Sequence, residues 1–406
     1  MSDTAKIASF NVKNLIGADQ EYYRFQSYTP EEYAWKKAWL ADQLVLMDSD
    51  VIGFQEIFEE EALKDVIAEA DRRGNARNAA SIPDGSKSYA GKAIFDRLDF
   101  TPYAGAALAF APNSADPGTP GERRPGVAIL SRRGFEGAPE IIQDLDTPLT
   151  IPFGALRGLE GEAGSYTLRR LSRPILKARI DLGHGVTATV FNCHLKSKLG
   201  EYLTPAGDSF APEADLTRYD PVGRALGSLR AALRRMAEAW VLRREIVAEL
   251  NAGHPVIAMG DFNDGEHAVS SEIIAGEVPF KNYGWMLRHD AKGYNDRYSH
   301  EENLQITEDV ERVRLHSAEK LFIKKSMRDM VYTSAFGGVY ESIDQIYLSR
   351  HFLDEFEDRQ ARMEYFSVLN DHLTDGSHPE APYNKLASDH GQIIAHLRLG
   401  RPRRRG

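Results

Sequence analysis

VIAMGDFND, residues 256–264, runs from apolar residues into Gly260 and then sets Asp261, Asn263 and Asp264 within four positions. A short apolar run bounded by a turn signal fits a strand buried on both faces, with its polar cluster just past the carboxyl end. Asp, Asn and Gly also favour simple turns, because their side chains bond the local backbone and tolerate unusual dihedrals. Taken alone, the stretch fits either reading.

Other strand ends look the same. IASFNV (7–12) reads as a first strand, and YAWKKAWLADQLVLM (33–47) as a helix with apolar residues at three and four spacing. VIGFQEI (51–57) is a second strand, and the helix through EEEALKDVIAEADRRG is expected to stop at Gly74. GVAILS (126–131), ILKARI (175–180) and VTATVFNCHL (186–195) follow, and a long amphipathic helix over 222–250 feeds VIAMGDFND. After a polar, weakly periodic stretch from 266 to 330, SIDQIYLS (342–349), MEYFSVL (363–369) and HGQIIAHLRL (390–399) complete the strands. Strands interleaved with helices, together with hairpin-like pairs, predict two mixed, mainly antiparallel sheets stacked face to face with helices outside. Length alone allows one large domain with insertions or two domains; loop insertions are expected near 75–122, 196–225 and 280–330, and a solvated basic tail at 401–406.

Composition narrows the class. The chain has 406 residues, 42% hydrophobic and 27% charged, which are ordinary globular values. Its one cysteine, Cys193, excludes an intramolecular disulfide and a Cys-rich zinc site; on a strand it faces away from His194, toward the core. No apolar run approaches a spanning helix and the start shows no leader, so a cytoplasmic protein is expected, or a secreted one only if a signal was removed. The net charge of −10 weakens any claim that the whole surface attracts nucleic acid, but basic clusters occur at 121–133, 166–180 and 229–245.

Chemistry-bearing residues recur in one structural place. Asn11 and Glu56 close the first two strands, His194 closes VTATVFNCH, Asp344 sits in SIDQIYL, and Asp389 with His390 opens the last strand. Each has a bland reading as a turn residue, a solvated carboxylate or a satisfied core histidine. Their recurrence at strand ends points instead to a shared site on one face of a rigid scaffold. Hydrolysis of a phosphate ester needs an activated water, neutralisation of the equatorial oxygens and help for the leaving oxygen. Glu56 beside Asn11 offers hard oxygen ligands that suit Mg²⁺, and zinc is disfavoured by the missing thiolates. His194 and His390 can donate to a phosphoryl oxygen, best when a carboxylate such as Asp344 holds them protonated. Lys196, Lys198 and Arg173 can reach phosphate as charges, while Asp371 and His372 follow a strand and read as loop residues.

FNVKNL, GFQEI, FNCHLKSK, MGDFND, IDQIYLS and SDHGQI resemble, in order, the motif series of the endonuclease/exonuclease/phosphatase superfamily with its deoxyribonuclease-I-like fold. A softer likeness is to its bacterial extracellular-type nuclease branch. The resemblance implies one domain over 1–400, a four-layered α/β sandwich with the site at one end of the sheets. It implies Glu56 as the main metal ligand with Asn11 assisting, Asp261 orienting or deprotonating the attacking water, and Asn263 holding the scissile phosphate. His194 and His390 would stabilise the transition state or protonate the leaving group, Asp344 would orient His390, and Asp389 would serve a second metal position or the hydrogen-bond network. Asp264 is taken as a turn or supporting residue.

The fold does not name the ester. His194 speaks against a dedicated abasic-site enzyme, GDFNDGEHAV does not match the inositol-phosphatase extension, and no leader of the secreted sphingomyelinases is present. A Mg²⁺-dependent nuclease acting on DNA or RNA is therefore the leading expectation, with Mn²⁺ able to substitute and Ca²⁺ conceivable. A hydrolase of small phosphate esters is the alternative, and a silent binding protein on the same fold the third. Oligomeric state is not legible.

Overall fold

The computed structural model describes residues 3–23, 26–79, 100–113, 123–152, 165–200, 202–203, 209–210, 221–276, 299–326, 331–375 and 386–400. The first sheet contains β1 (Thr4–Leu15), β2 (Val51–Ile57), β3 (Ala107–Ala111), β4 (Gly126–Ser131) and two strands from the chain's end. The second begins with β5 (Glu140–Pro152), β6 (Ser165–Gly183) and β7 (Val186–His194). A small ribbon follows, β8 (Tyr202–Leu203) with β9 (Ser209–Phe210). β10 (Val256–Asp261), β11 (Leu315–Ser317) and β14 (Asp344–Ser349) complete the second sheet, and β12 (Ser334–Phe336) pairs with β13 (Val339–Glu341). β15 (Ala361–Leu369) and β16 (Gln392–Leu399) return to the first. The strand orders are β15-β16-β1-β2-β4-β3 and β11-β14-β10-β7-β6-β5.

Each sheet has one parallel pair among antiparallel ones: β1 with β2, and β7 with β10. A parallel pair needs a long crossover. Helix α1 (Pro30–Met47) supplies the first and α3 (Pro221–Asn251) the second, with α2 (Glu60–Ala79) beside α1 and α4 (Val269–Ala275) beside α3.

Side chains alternate faces along a strand, and that alternation builds the layers. Ala5 and Ile7 of β1 join Val190 of β7, Met259 of β10 and Ile346 of β14 in a core between the sheets. Ala8 and Phe10 of β1, with Ile52 and Phe54 of β2, face Leu40 and Leu44 of α1 and Leu63 and Val66 of α2. Phe191, Cys193 and Ala258 face Val241, Leu242 and Ile246 of α3. The result is the four-layered α/β sandwich expected from the sequence, and Cys193 is buried beneath α3.

Boundaries moved where local chemistry outweighed periodicity. Helix α1 starts at Pro30, before Tyr33, because Thr29 and Glu32 close a capping box. Helix α2 runs through Gly74 to Ala79, correcting the expected stop: Gly74 lies under Phe100, whose ring leaves no room for a Cβ. The polar stretch 266–330 holds two further helices, α5 (His300–Val313), capped by Ser299 and Glu302, and α6 (Ala318–Ser326), as well as edge strand β11. Edge strand β3 likewise falls within 75–122. Most of 75–122, much of 196–225 and 280–330, and the tail 401–406 lie outside the described residues. No helix among the described residues is long and apolar enough to cross a membrane.

Candidate active site

On the faces that meet between the sheets, the last inward residues are polar. Ala5, Ile7 and Ser9 lead to Asn11 on β1, and Ile257 and Met259 lead to Asp261 on β10. Across β7, β10 and β14 the register aligns His194, Asp261 and Asp344 side by side. One step deeper, Gln55 Nε2 donates to Asn192 Oδ1 at 2.6 Å, and Asn192 Nδ2 donates to the carbonyls of Phe54 and Ala128. These buried amides tie β2 to β7 and close the apolar core below the site. Gly53 permits the approach, since a Cβ there would lie 2.7 Å from Met259 Cε.

Asp261 Oδ2 is the focus. Asn11 Nδ2 donates to it at 3.0 Å, His194 Nε2 lies 3.3 Å away and His390 Nε2 3.9 Å away. The other oxygen accepts the Asn263 amide N–H at 2.8 Å. Burial raises the Asp261 carboxyl to about 7 against the pull of His390, with Asp344 adding to the rise. Gly260 makes this turn possible: its φ is 143° and a Cβ would stand 1.9 Å from the Cys193 carbonyl oxygen.

The two histidines differ. His390 Nδ1 donates to Asp344 Oδ2 at 2.8 Å; burial opposes its charge, but Asp344 and Asp261 outweigh that and hold its pKa well above the ordinary value. His194 is driven well below its ordinary value by burial and by Arg173 beside it. Asp344, the carboxylate expected to hold a histidine protonated, thus pairs with His390, while His194 Nε2 lies 3.3 Å from Asp261 Oδ2 and its Nδ1 has no partner among the described residues, which favours the neutral ring. Asp344 is fully buried, and its Oδ1 also lacks a partner among the described residues.

Glu56 sits where β1 and β2 break register. Lys13, Asn14, Glu56 and Asn263 are four of the seven non-glycine residues with positive φ among the described residues, so backbone strain collects here. The strained turn aims the Asn14 N–H at Glu56 Oε2 (3.0 Å), while Oε1 accepts from Asn11 Nδ2 (3.2 Å). Two sets of donors could hold a cation. Glu56 with the Asn11 amide oxygen, which accepts the Lys13 N–H at 3.0 Å and keeps a second lone pair, is a hard oxygen pair. Asp261, Asp344 and His390 offer ligand atoms within 4.8 Å of one another, but His390 would have to give up the charge that Asp344 stabilises.

Not every expected residue joins this cluster. The Asp389 carboxylate is 3.5 Å from Lys13 Nζ and over half exposed. Lys198 turns to Glu341 at 2.7 Å and to Asp264 at 3.6 Å, and Asp264 accepts from Arg235 at 2.6 Å and from Ser270. Arg173 donates to the Leu195 carbonyl, as does Asn263 Nδ2. Lys196 Nζ folds over its own loop onto Ser197 Oγ and the Leu199 carbonyl.

Supporting residues escaped the sequence. Ser388 Oγ donates to the Asn11 carbonyl at 2.6 Å and accepts the His390 N–H. His372 Nε2 donates to the His390 carbonyl at 3.0 Å and packs edge-on against Trp39, a role its loop position did not reveal. Lys36, fully buried, donates to the carbonyls of Val12 and Leu386, anchoring both loops that carry the site. Its only signal was a lysine on the apolar stripe of a helix.

Comparison with known proteins follows this geometry. The sequence profile of the Endonuclease/Exonuclease/phosphatase family matches residues 8–390. No curated protein matches the chain. Among solved structures, the chain is similar to an endonuclease/exonuclease/phosphatase family protein from Bacteroides thetaiotaomicron, at 13% identity and TM-score 0.44 over 97% of each chain. It is similar to the human Nocturnin catalytic domain with bound sulfate, at 12% identity and TM-score 0.44 over 98% of this chain and 96% of that one. A mannosyl-6-phosphatase from Bacteroides thetaiotaomicron gives 12% identity and TM-score 0.44 over 97% of this chain and 99% of its own. Because the family profile runs through every strand end described above, from β1 to His390, the chain belongs to the endonuclease/exonuclease/phosphatase family and is a phosphoric ester hydrolase.

Proposed function

We propose that the chain is a Mg²⁺-dependent nuclease that cleaves phosphodiester bonds of DNA or RNA. The observation that carries this reading is the convergence of Asn11, His194 and His390 on one oxygen of Asp261. That oxygen is desolvated and has its proton affinity raised to about 7, a value suited to taking a proton from water near neutral pH.

Asp261 accepts the proton of the attacking water, and Asn11 and neutral His194 hold its carboxylate in place. Protonated His390 donates from Nε2 to the phosphoryl oxygens as charge builds and passes that proton to the leaving oxygen as its P–O bond breaks, with Asp344 orienting the ring and holding its charge. Asn263, set by its left-handed backbone and its bond to the Leu195 carbonyl, orients the phosphate. Glu56 with Asn11 would hold the cation, which when bound neutralises a phosphoryl oxygen and polarises the ester. Asp389, apart from this pair and paired with Lys13, belongs to the surrounding network in this arrangement.

The net charge of −10 favours a second reading, a hydrolase of compact phosphate esters. Plasmid DNA, an RNA oligonucleotide, a chromogenic phosphodiester and its monoester, each with Mg²⁺ and with chelator, separate the two. Chelator-sensitive cleavage of polymer supports the nuclease; turnover of the small esters with intact polymer overturns it.

A further inference from the structure

A cavity of about 240 Å³ opens beside the site, lined by Arg124, Lys196, Arg230 and Arg234 together with Tyr166 and Ser172. Among the described residues no carboxylate lines it, in a chain whose net charge is −10. Arg230 and Arg234 stand four apart on α3, where like charges on one helix face repel. Arg230 is exposed and has no carboxylate partner among the described residues. Arg234 is paired with Glu238 and the Arg170 carbonyl, and Lys196 with Ser197 and the Leu199 carbonyl, which leaves Arg230 as the uncompensated charge on this wall.

The walls are built. Glu238 is 2% exposed, and its two oxygens accept the backbone N–H groups of Ser172 (2.7 Å) and Lys196 (2.8 Å) and the Arg234 Nε at 3.3 Å. It fixes the floor while its own acceptors are taken up. Ser172 Oγ is buried without a hydrogen-bond partner among the described residues. The cavity also shares a wall with the site. Lys196 follows His194 by two residues, a reach of about 7 Å in extended chain, and the Leu195 carbonyl between them accepts from both Arg173 and Asn263.

We propose that this cavity is a second anion subsite, which binds a phosphate of the substrate next to the scissile one. The inference rests on the nuclease reading and deepens it: the preferred substrate carries at least two phosphates a short distance apart. The second phosphate is either the next diester of the chain or a terminal monoester. Arg230 and Arg124 engage it from the rim and Arg234 from the wall, by charge-assisted contacts.

The test is steady-state hydrolysis of a thymidine dinucleotide with and without a terminal phosphate, and of a tetranucleotide, by the wild type, Arg230→Glu and Arg230→Lys. In the wild type, the added phosphate is expected to lower KM by roughly tenfold, the scale of one hydrogen bond to a charged group. Arg230→Glu should abolish that advantage and leave kcat on the unphosphorylated dinucleotide unchanged, and Arg230→Lys should restore most of it. An advantage for the phosphorylated dinucleotide identifies the monoester source, and one for the tetranucleotide alone identifies the neighbouring diester. Equal effects of Arg230→Glu on all three substrates, or none on any, would overturn the subsite.

Equilibrium binding of a fluorescent oligothymidylate in chelator separates this from failure of the nuclease reading. The subsite requires the log–log salt slope to fall by about 0.7 in Arg230→Glu, one contact on a single strand. Such a drop in a protein that cleaves no oligonucleotide would sink the nuclease and keep the subsite. Cleavage with an unchanged slope would do the reverse.

Discussion

Asn11 of β1 and Asp261 of β10 are 250 residues apart in sequence, yet Nδ2 of one donates to Oδ2 of the other across 3.0 Å. The bond joins the two sheets at their rim, where β10 ends and β1 loses its register with β2. The hydrolytic site is therefore a product of sheet packing: neither half of the fold holds it alone.

Asp344→Asn should lower kcat by roughly 10²–10⁴-fold with little change in KM, because His390 loses the partner that orients and charges it. The pH profile distinguishes this from general damage. With Asp344 present the His390 pKa stands well above its ordinary value, so the imidazolium persists through neutral pH. Without it the pKa falls back toward about 6.5, and the alkaline limb of the kcat profile should move to lower pH. A reduced profile of unchanged shape would argue against this role.

Glu56→Gln keeps the shape of the side chain but removes its charge. Mn²⁺ affinity, measured by calorimetry, should weaken by at least about tenfold, whereas Asp389→Asn should leave it nearly unaltered. Loss of affinity in Asp389→Asn alone would move the cation away from Glu56 and Asn11.

Gly260→Ala tests the turn that opens the site. A Cβ would lie 1.9 Å from a backbone oxygen at a φ that L-residues avoid, so Asp261 and β7 cannot both keep their places. A destabilisation above about 3 kcal/mol is expected in urea titration. Wild-type stability would mean that the strands do not approach as closely as described.

Glu249 ties α3 to the second sheet, accepting from Lys177 at 2.9 Å, Thr189 at 2.8 Å and His254 at 2.7 Å. Burial works to raise its pKa, but these donors prevail and lower it to about 2. A carboxyl depressed on folding contributes stability above its unfolded pKa and loses it as pH falls toward the folded one. Glu249→Gln should therefore cost about 3 kcal/mol at pH 7, and the gap in Tm should narrow as pH falls from about 4.5 toward 2. A gap that does not vary with pH would assign the loss to packing.

Much of this was legible because alternation and turn chemistry are local. VIGFQEI and GVAILS form strands at the expected limits, and GDFND lies at a strand end as its glycine and carboxylates indicate. What the sequence hides is what distant segments do to one another. Gly74 reads as a helix stop until Phe100, brought from beyond a long connection, packs against it. His194 reads as a chargeable donor until burial and Arg173 hold it neutral. The Gln55–Asn192 clamp and the Lys36 anchor depend on partners from separate elements, and no spacing rule reports them.

The most direct test is kcat of Asp261→Asn on the best phosphodiester substrate, with Tm measured beside it. The expected result is a loss of roughly 10²–10⁴-fold in a protein that folds at least as stably, since a buried carboxylate has been neutralised. Activity retained within about threefold, in a protein of unchanged Tm, would contradict the assignment of Asp261 as the group that receives the proton of water.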